Sequence, residues 1–377
     1  MKRRMLCVLL TMCLCTGLAA CGESDKKAES PPDKNGSETA SEPEKKEQAE
    51  EEKGGEYEGQ TLVVQVWGGT YEETMRQFAI PVFEEKTGAK VEVITGAAPL
   101  TQFATEGDAA SADIVHIDST EVIKGTEMDV LETIDKSKLE HAGDLYDEAF
   151  VYDNAVVTNW GTYGICYRKD LVETPPTKWM DLWDPAYKDG KVGVMDVGMG
   201  GGLELADMVA RTQGTDIADE GNWDNLFAKL AELKDNIGIY GNQHADVEAL
   251  LQKGDIYMAI ETNGRAISLM KEGQDVGFSA PEEGVPAMTS YIAMAKGSQN
   301  KDLAYEFMDV LLSPEIQKAY AENNYYAPSN SKTEVPEELK EFMPYGQEQI
   351  SKLVYLDSQA LEPIKDKFVE RWNQEFK

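Results

Sequence analysis

The sequence predicts an α/β chain in two lobes, each a mixed, mostly parallel sheet flanked by helices, with a cleft between them. Three observations carry that reading. Short aliphatic runs alternate with segments of helical period across short connectors. The alternation recurs in both halves of the chain. About 320 residues pass without a low-complexity break, enough for two lobes of ordinary size.

Leu62-Val63-Val64-Gln65-Val66 reads as a buried strand closed by Trp67-Gly68-Gly69, and residues 71–86 have helical period until Thr87-Gly88 stops them. Residues 89–94 form the next strand. The pattern returns as a strand at 112–117 with a helix from Glu121, and as a strand at 191–195 with a helix over 202–211. Strands at 256–260, 276–279 and 290–295 follow, and the last leads into a helix over 301–312. In open α/β sheets, ligands bind beyond the carboxyl ends of strands. The loops from Trp67 to Tyr71, Asp118 to Thr120, Asp196 to Gly202 and Thr262 to Arg265 are therefore the candidates, and their spread over both halves suits a cleft between lobes.

Residues 1–4 carry three positive charges and residues 5–18 form an apolar run too short to span a bilayer, the layout of a secretory signal over residues 1–20. The run ends in Leu18-Ala19-Ala20-Cys21-Gly22, which resembles the bacterial lipobox and implies that Cys21 is acylated as an anchor. Residues 21–56 are rich in Glu, Lys, Ser and Pro and nearly free of aliphatic side chains. Such a segment buries too little to offset its ordering entropy, so it reads as an acidic, disordered tether.

The formal charge is -33; the leader supplies +3 and the tether -6, which leaves -30 on the folded part. A field of that sign repels nucleic acid and anionic lipid surfaces. Only Cys166 lies beyond residue 21, in an apolar strand that implies a buried, unreactive thiol. His116, His141 and His244 are too scattered for a His-rich metal centre, and no cofactor is implied. No nucleophile elbow, phosphate-binding P-loop or zinc-protease motif is present, so the sequence does not read as an enzyme.

Trp67-Gly68-Gly69-Thr70-Tyr71, Phe83-Glu84-Glu85-Lys86-Thr87-Gly88 and Trp160-Gly161-Thr162-Tyr163-Gly164-Ile165 resemble segments of the solute-binding proteins of polyamine-type ABC importers. So do residues 179–185, Pro281-Glu282-Glu283-Gly284 and residues 303–308. The resemblance runs from about Leu62 to Asn330 and implies a two-lobed, type II periplasmic-binding-protein fold. It places lobe 1 at 57–160 plus 279–330, lobe 2 at 161–278, and C-terminal helices at 331–377 packing on the lobes. It also implies that the lobes close over a small solute and deliver it to an ABC permease and its ATPase. The resemblance further implies a monomer, exported and held to the outer face of the cell membrane by the lipid on Cys21.

By that resemblance Trp67 and Tyr71, on a loop shared with Gly68, Gly69 and Thr70, supply aromatic faces, and Asp118 lies on a cleft loop where its carboxylate either holds an ammonium group or caps a helix. The Ser119, Thr262 and Ser290 hydroxyls or the Gly198 to Gly202 amides are expected to bind the polar remainder. Trp160, Thr162, Thr262, Asn263, Ser290 and Tyr291 complete the expected site. Two departures from the family pattern shift the expected ligand. Thr262 stands where a tryptophan is usual, and Met288 and Ser290 replace an aromatic residue and an aspartate. Gly200, Gly201 and Gly202 lead into a helix whose free N–H groups would favour an anion. The expectation is a small amine-containing solute, with a zwitterion such as γ-aminobutyrate, aminoethylphosphonate or an amino acid as the alternative. Trp179 and Trp183, four apart, are expected to share a helix face and pack between lobes. Tyr325-Tyr326 matches the residue type of ferric-ion sites, but its segment fits the closing motif of the polyamine-type family.

Overall fold

Residues 55–377 are described by the structure, a computed structural model; the expectations for the signal, for Cys21 and for all but the end of the tether lie outside them. Ten strands form one continuous curled sheet. They are β1 (Thr61–Val66), β2 (Lys90–Thr95), β3 (Ile114–Ile117), β4 (Val156–Arg168), β5 (Val192–Met195), β6 (Ile237–Gly241), β7 (Met258–Thr262), β8 (Val276–Ser279), β9 (Ala287–Met294) and β10 (Ala327–Pro328). The order is β2-β1-β3-β9-β4-β7-β5-β6, with β8 and β10 also paired to β4.

The two ends of the path are parallel: β1 runs with β2 and β3, and β5 with β6 and β7. Each parallel step is made through a crossover helix, as the alternation in the sequence requires. The middle is antiparallel. β9 pairs with β3 and with the first half of β4, while β7 and β8 pair with its second half. Antiparallel pairing is thus more prominent than the sequence pattern implies.

The helix expected over 71–86 is present but interrupted. Thr70–Thr74 and Ile80–Thr87 are α-helical, and Met75–Ala79 between them is a π turn. Pro81 lacks the N–H that would continue the regular ladder at this point, which accounts for a wider turn just before it. Trp179 and Trp183 lie on a 3₁₀ turn, Trp179–Trp183. At three residues per turn, positions four apart diverge. Trp179 donates its indole N–H to the Gly284 carbonyl at 2.9 Å, whereas Trp183 donates to that of Lys229 at 3.0 Å. Both rings pack with the β5 and β7 core, so the shared face expected between lobes is not formed.

The C-terminal stretch is fastened at both ends of the sheet. Val335, Leu339, Met343, Ile350 and Leu353 join a core with Val115, Val157 and Trp160. Leu361, Phe368 and Trp372 join another with Val192, Trp223 and Phe227. Phe368 is fully buried, with its ring centroid 5.3 Å from Trp223 and 5.0 Å from Phe227. Phe368→Ala is expected to cost about 3–5 kcal/mol of stability, the scale for deleting a buried aromatic side chain. Denaturant unfolding measures it; an unchanged midpoint would mean that helix Lys365–Phe376 is not part of this core.

Candidate functional site

A cavity of about 580 Å³ lies beyond the carboxyl ends of β3 and β5. The β3 end contributes Asp118, Ser119 and Thr120, the β5 end Val197 to Gly200, and β4 and β9 contribute Tyr163, Met288 and Tyr291. A further wall comes from the C-terminal stretch, through Tyr355, Ser358, Glu362 and Lys365.

Asp118 caps helix Ser119–Glu127. Its Oδ1 accepts from the Glu121 N–H at 2.8 Å, and the Glu121 carboxylate accepts from the Asp118 N–H at 3.1 Å. The cap fixes Asp118 at the helix entrance and leaves its exposed carboxylate facing the cavity. Across from it, the glycine loop satisfies much of its own backbone. The Gly198 N–H donates to Asp196 Oδ1 at 3.1 Å and the Gly201 N–H to Glu204 Oε2 at 2.7 Å. The Met199 and Gly202 N–H groups donate to backbone carbonyls. Amides already aimed at two carboxylates offer little to an anion, so fewer of the loop's N–H groups are free than its glycines suggest, the Gly200 and Leu203 N–H groups beside the cavity having no acceptor among the described residues.

Gly200 has another use. A Cβ there would stand 2.3 Å from the Tyr163 hydroxyl, so only glycine lets that ring reach the cavity wall. Burial holds the Tyr163 phenol well above its ordinary pKa, which keeps it a neutral hydrogen-bonding group. Burial also raises the Glu204 carboxyl, opposed by its hydrogen bond from Gly201 and by nearby Lys365.

A family model for bacterial extracellular solute-binding proteins matches residues 79–342, more than half of the chain. The chain belongs to this family. It is the solute-binding component of an ABC importer and not an enzyme. A gamma-aminobutyric acid-binding protein of Pseudomonas aeruginosa is 25% identical over 295 residues, covering 76% of this chain and 82% of that protein. The spermidine/putrescine-binding periplasmic protein of Salmonella typhimurium is 25% identical over 260 residues, covering 66% and 72%. The crystal structure of an ABC transporter from Clostridium perfringens superposes with a TM-score of 0.73 at 23% identity, over 84% of this chain and 100% of that one, and so shares the two-lobed fold.

In this solute-binding protein the four expected loops meet in pairs. The Asp118 and Asp196 loops share the large cavity. Thr70, from the first loop, meets Gly264 and Arg265, from the fourth, in a smaller cavity of about 330 Å³ that Tyr326 also lines. Of the expected residues, Asp118, Ser119, Gly200 and Tyr291 line the large cavity, while Thr162 lies at a third one, beside Pro281.

The others serve the framework. Tyr71 is buried, its hydroxyl 3.2 Å from Thr158 Oγ1 and accepting from Asn159 Nδ2 at 2.9 Å. Trp67 is half-buried and packs edge-on against Tyr71 and His116. Gly68 and Gly69 lead into the helix at Thr70, with Gly69 at φ 76°. Trp160 is fully buried among core residues that include Tyr146, so its ring faces a core and not the cleft. Thr262 caps helix Asn263–Lys271. Buried Asn263 accepts from the Thr162 N–H at 3.0 Å and donates to the Tyr325 carbonyl at 2.9 Å. Ser290 is buried and its carbonyl accepts from Thr158. Gly201 and Gly202 shape the turn: a Cβ on Gly202 would meet the Asp196 carbonyl oxygen at 2.5 Å.

Sequence reasoning missed Tyr152, Glu204, Tyr355, Glu362 and Lys365. Glu204 had a local signal, three residues after Gly201 as in a capping box. The C-terminal residues had none, since packing far along the chain brings them in.

The framework beneath the Trp67 loop contains a buried histidine. His116 Nδ1 donates to the Gln65 carbonyl at 2.9 Å, while Nε2 is buried without a partner among the described residues. Burial pushes its pKa down to about 4 from an ordinary 6.5. The unfolded chain therefore takes up the proton first. This contribution to stability is intact above pH 6.5 and is lost as pH falls toward 4. Wild type should lose more stability over that window than His116→Asn, measured by denaturant unfolding at each pH. Identical pH profiles would contradict this.

Proposed function

We propose that this protein captures a small amine-bearing solute in the 580 Å³ cavity and hands it to the permease and ATPase of its importer. The observation that carries the reading is the polar character of the lining. Asp118, Glu204 and Glu362 bring carboxylates, Tyr152, Tyr163, Tyr291 and Tyr355 bring aromatic rings, and the single cationic side chain is that of Lys365. An ammonium group leaving water needs acceptors and π faces to replace its hydration shell. The charge of -33 adds long-range attraction for a cation. The relatives named for γ-aminobutyrate and for spermidine/putrescine bind amines, which supports the same class.

Two lobes, 57–160 with 279–330 and 161–278, close over the solute, with Asp118 and Ser119 on one side and Gly200 on the other. The protein acts as a monomer, exported and held at the outer face of the membrane by acylated Cys21. A zwitterion is the second reading, favoured by the presence of Lys365 in the same cavity.

A thermal-shift panel of putrescine, spermidine, γ-aminobutyrate, aminoethylphosphonate and amino acids tests the class, because a ligand of the native state raises Tm. Amine-bearing compounds should shift the melt and amine-free carboxylates such as succinate should not; a shift by succinate alone would refute the reading. Asp118→Asn keeps a good helix cap but removes the charge, and should weaken amine binding roughly 10- to 100-fold with Tm of the free protein little changed. Unaltered affinity would take Asp118 out of the site. Cys21→Ala should move the exported protein from the membrane to the soluble fraction; retention on the membrane would exclude lipid at Cys21 as the anchor.

A further inference from the structure

Three features of the large cavity bear on what holds the far end of the solute. The first is the origin of its last wall. The family model ends at residue 342, yet Tyr355, Ser358, Glu362 and Lys365 line the cavity. This stretch crosses between the two ends of the sheet. Ser358 Oγ lies 3.2 Å from Ser119 Oγ, and Glu362 pairs with Lys124 on the helix after β3 at 3.4 Å. Immediately afterwards Phe368 and Trp372 are buried in the β5 core. Lys365 is therefore held from both sides, at the first turn of a helix whose next turns cannot shift without exposing aromatic rings.

The second feature is charge pairing. Asp118 is engaged by a helix cap, Glu204 by the Gly201 N–H and Glu362 by Lys124. Among the described residues Lys365 makes no ion pair within 4.0 Å, although it is half-buried. Its ammonium is near enough to act on the Glu204 carboxyl but in direct contact with no carboxylate, which leaves it able to receive a partner.

The third is that, among the described residues, Lys365 is the only cationic side chain lining the cavity, while two of the glycine-loop amides, those of Gly198 and Gly201, are occupied by Asp196 and Glu204.

We infer that Lys365 is a specificity-determining residue that pairs with an anionic group on the solute, so that the ligand is an ω-amino acid or similar zwitterion, with its amine at the Asp118 side. The inference rests on the amine-binding reading above and narrows it. It also assigns discrimination between diamines and amino acids to the C-terminal stretch, outside the part of the chain that the family model matches.

Calorimetric titration of 4-aminobutyrate and 1,4-diaminobutane tests it, because the two share chain length and one amine and differ only at the far end. Wild type should favour 4-aminobutyrate. Lys365→Gln should weaken 4-aminobutyrate at least tenfold while leaving the diamine unchanged or tighter, and Lys365→Arg should retain most of the amino-acid affinity. Equal losses for both ligands in Lys365→Gln, or no change for either, would overturn the pairing and leave amine binding standing. A wild type that binds the diamine and not 4-aminobutyrate would do the same. A wild type that binds neither would defeat both the pairing and the amine reading beneath it.

Discussion

Val156–Arg168 is paired along its first half with β9 and along its second with β7 and β8, and twelve of its thirteen residues are buried. A run of that length is about 43 Å long, enough to join the two ends of the sheet in succession. The carboxyl ends of β3 and β5 are related through this strand, which places the Asp118 loop opposite the glycine loop. Its own composition reflects the crowding. A Cβ on Gly164 would lie 2.6 Å from the Ser279 carbonyl oxygen, so the approach of β8 depends on a residue with no side chain. Change at that position would alter the separation on which the cavity depends.

The electrostatics of the cavity follow from local economy in the loops. Carboxylates at loop and helix starts are used first to satisfy backbone N–H groups: Asp118 for Glu121, Asp196 for Gly198, Glu204 for Gly201. Lys377 in turn pairs with Asp196 at 2.6 Å. The acid-rich chain thus builds its cleft loops from its own carboxylates, and what faces the cavity is the charge left over. That residue of charge is negative on the β3 and β5 sides and positive only where the C-terminal helix enters.

Much of the framework was legible because buried strands announce themselves. The runs around Val64, Val194 and Phe278 are short and apolar between turn residues, and each forms a strand where the sequence places one. β4 was harder to read. Thr158, Asn159 and Thr162 interrupt its apolar pattern, and their burial is tolerated only because partners on other elements satisfy them, such as Tyr71 for Asn159 and Ser290 for Thr158. At the site, strand-end loops predicted the right region but not which side chains face the space. The aromatic signal at Trp67 and Tyr71 was real, yet the rings are used for packing with His116 and Tyr320. Lys365 was invisible in sequence because its position is set by Phe368 and Trp372 meeting rings more than 100 residues earlier in the chain.

The pairing of β3 with β9 has a consequence for how the chain acquires its shape. Ile114 lies beside Met294, with the whole of β4 to β8 emerging between them. The β5, β6 and β7 strands have their partners close by in sequence and can assemble early, whereas the β1 to β3 unit keeps an open, hydrogen-bond-hungry edge until β9 arrives. Until residues 287–294 are in place, that edge is the exposed element and the one open to misassociation.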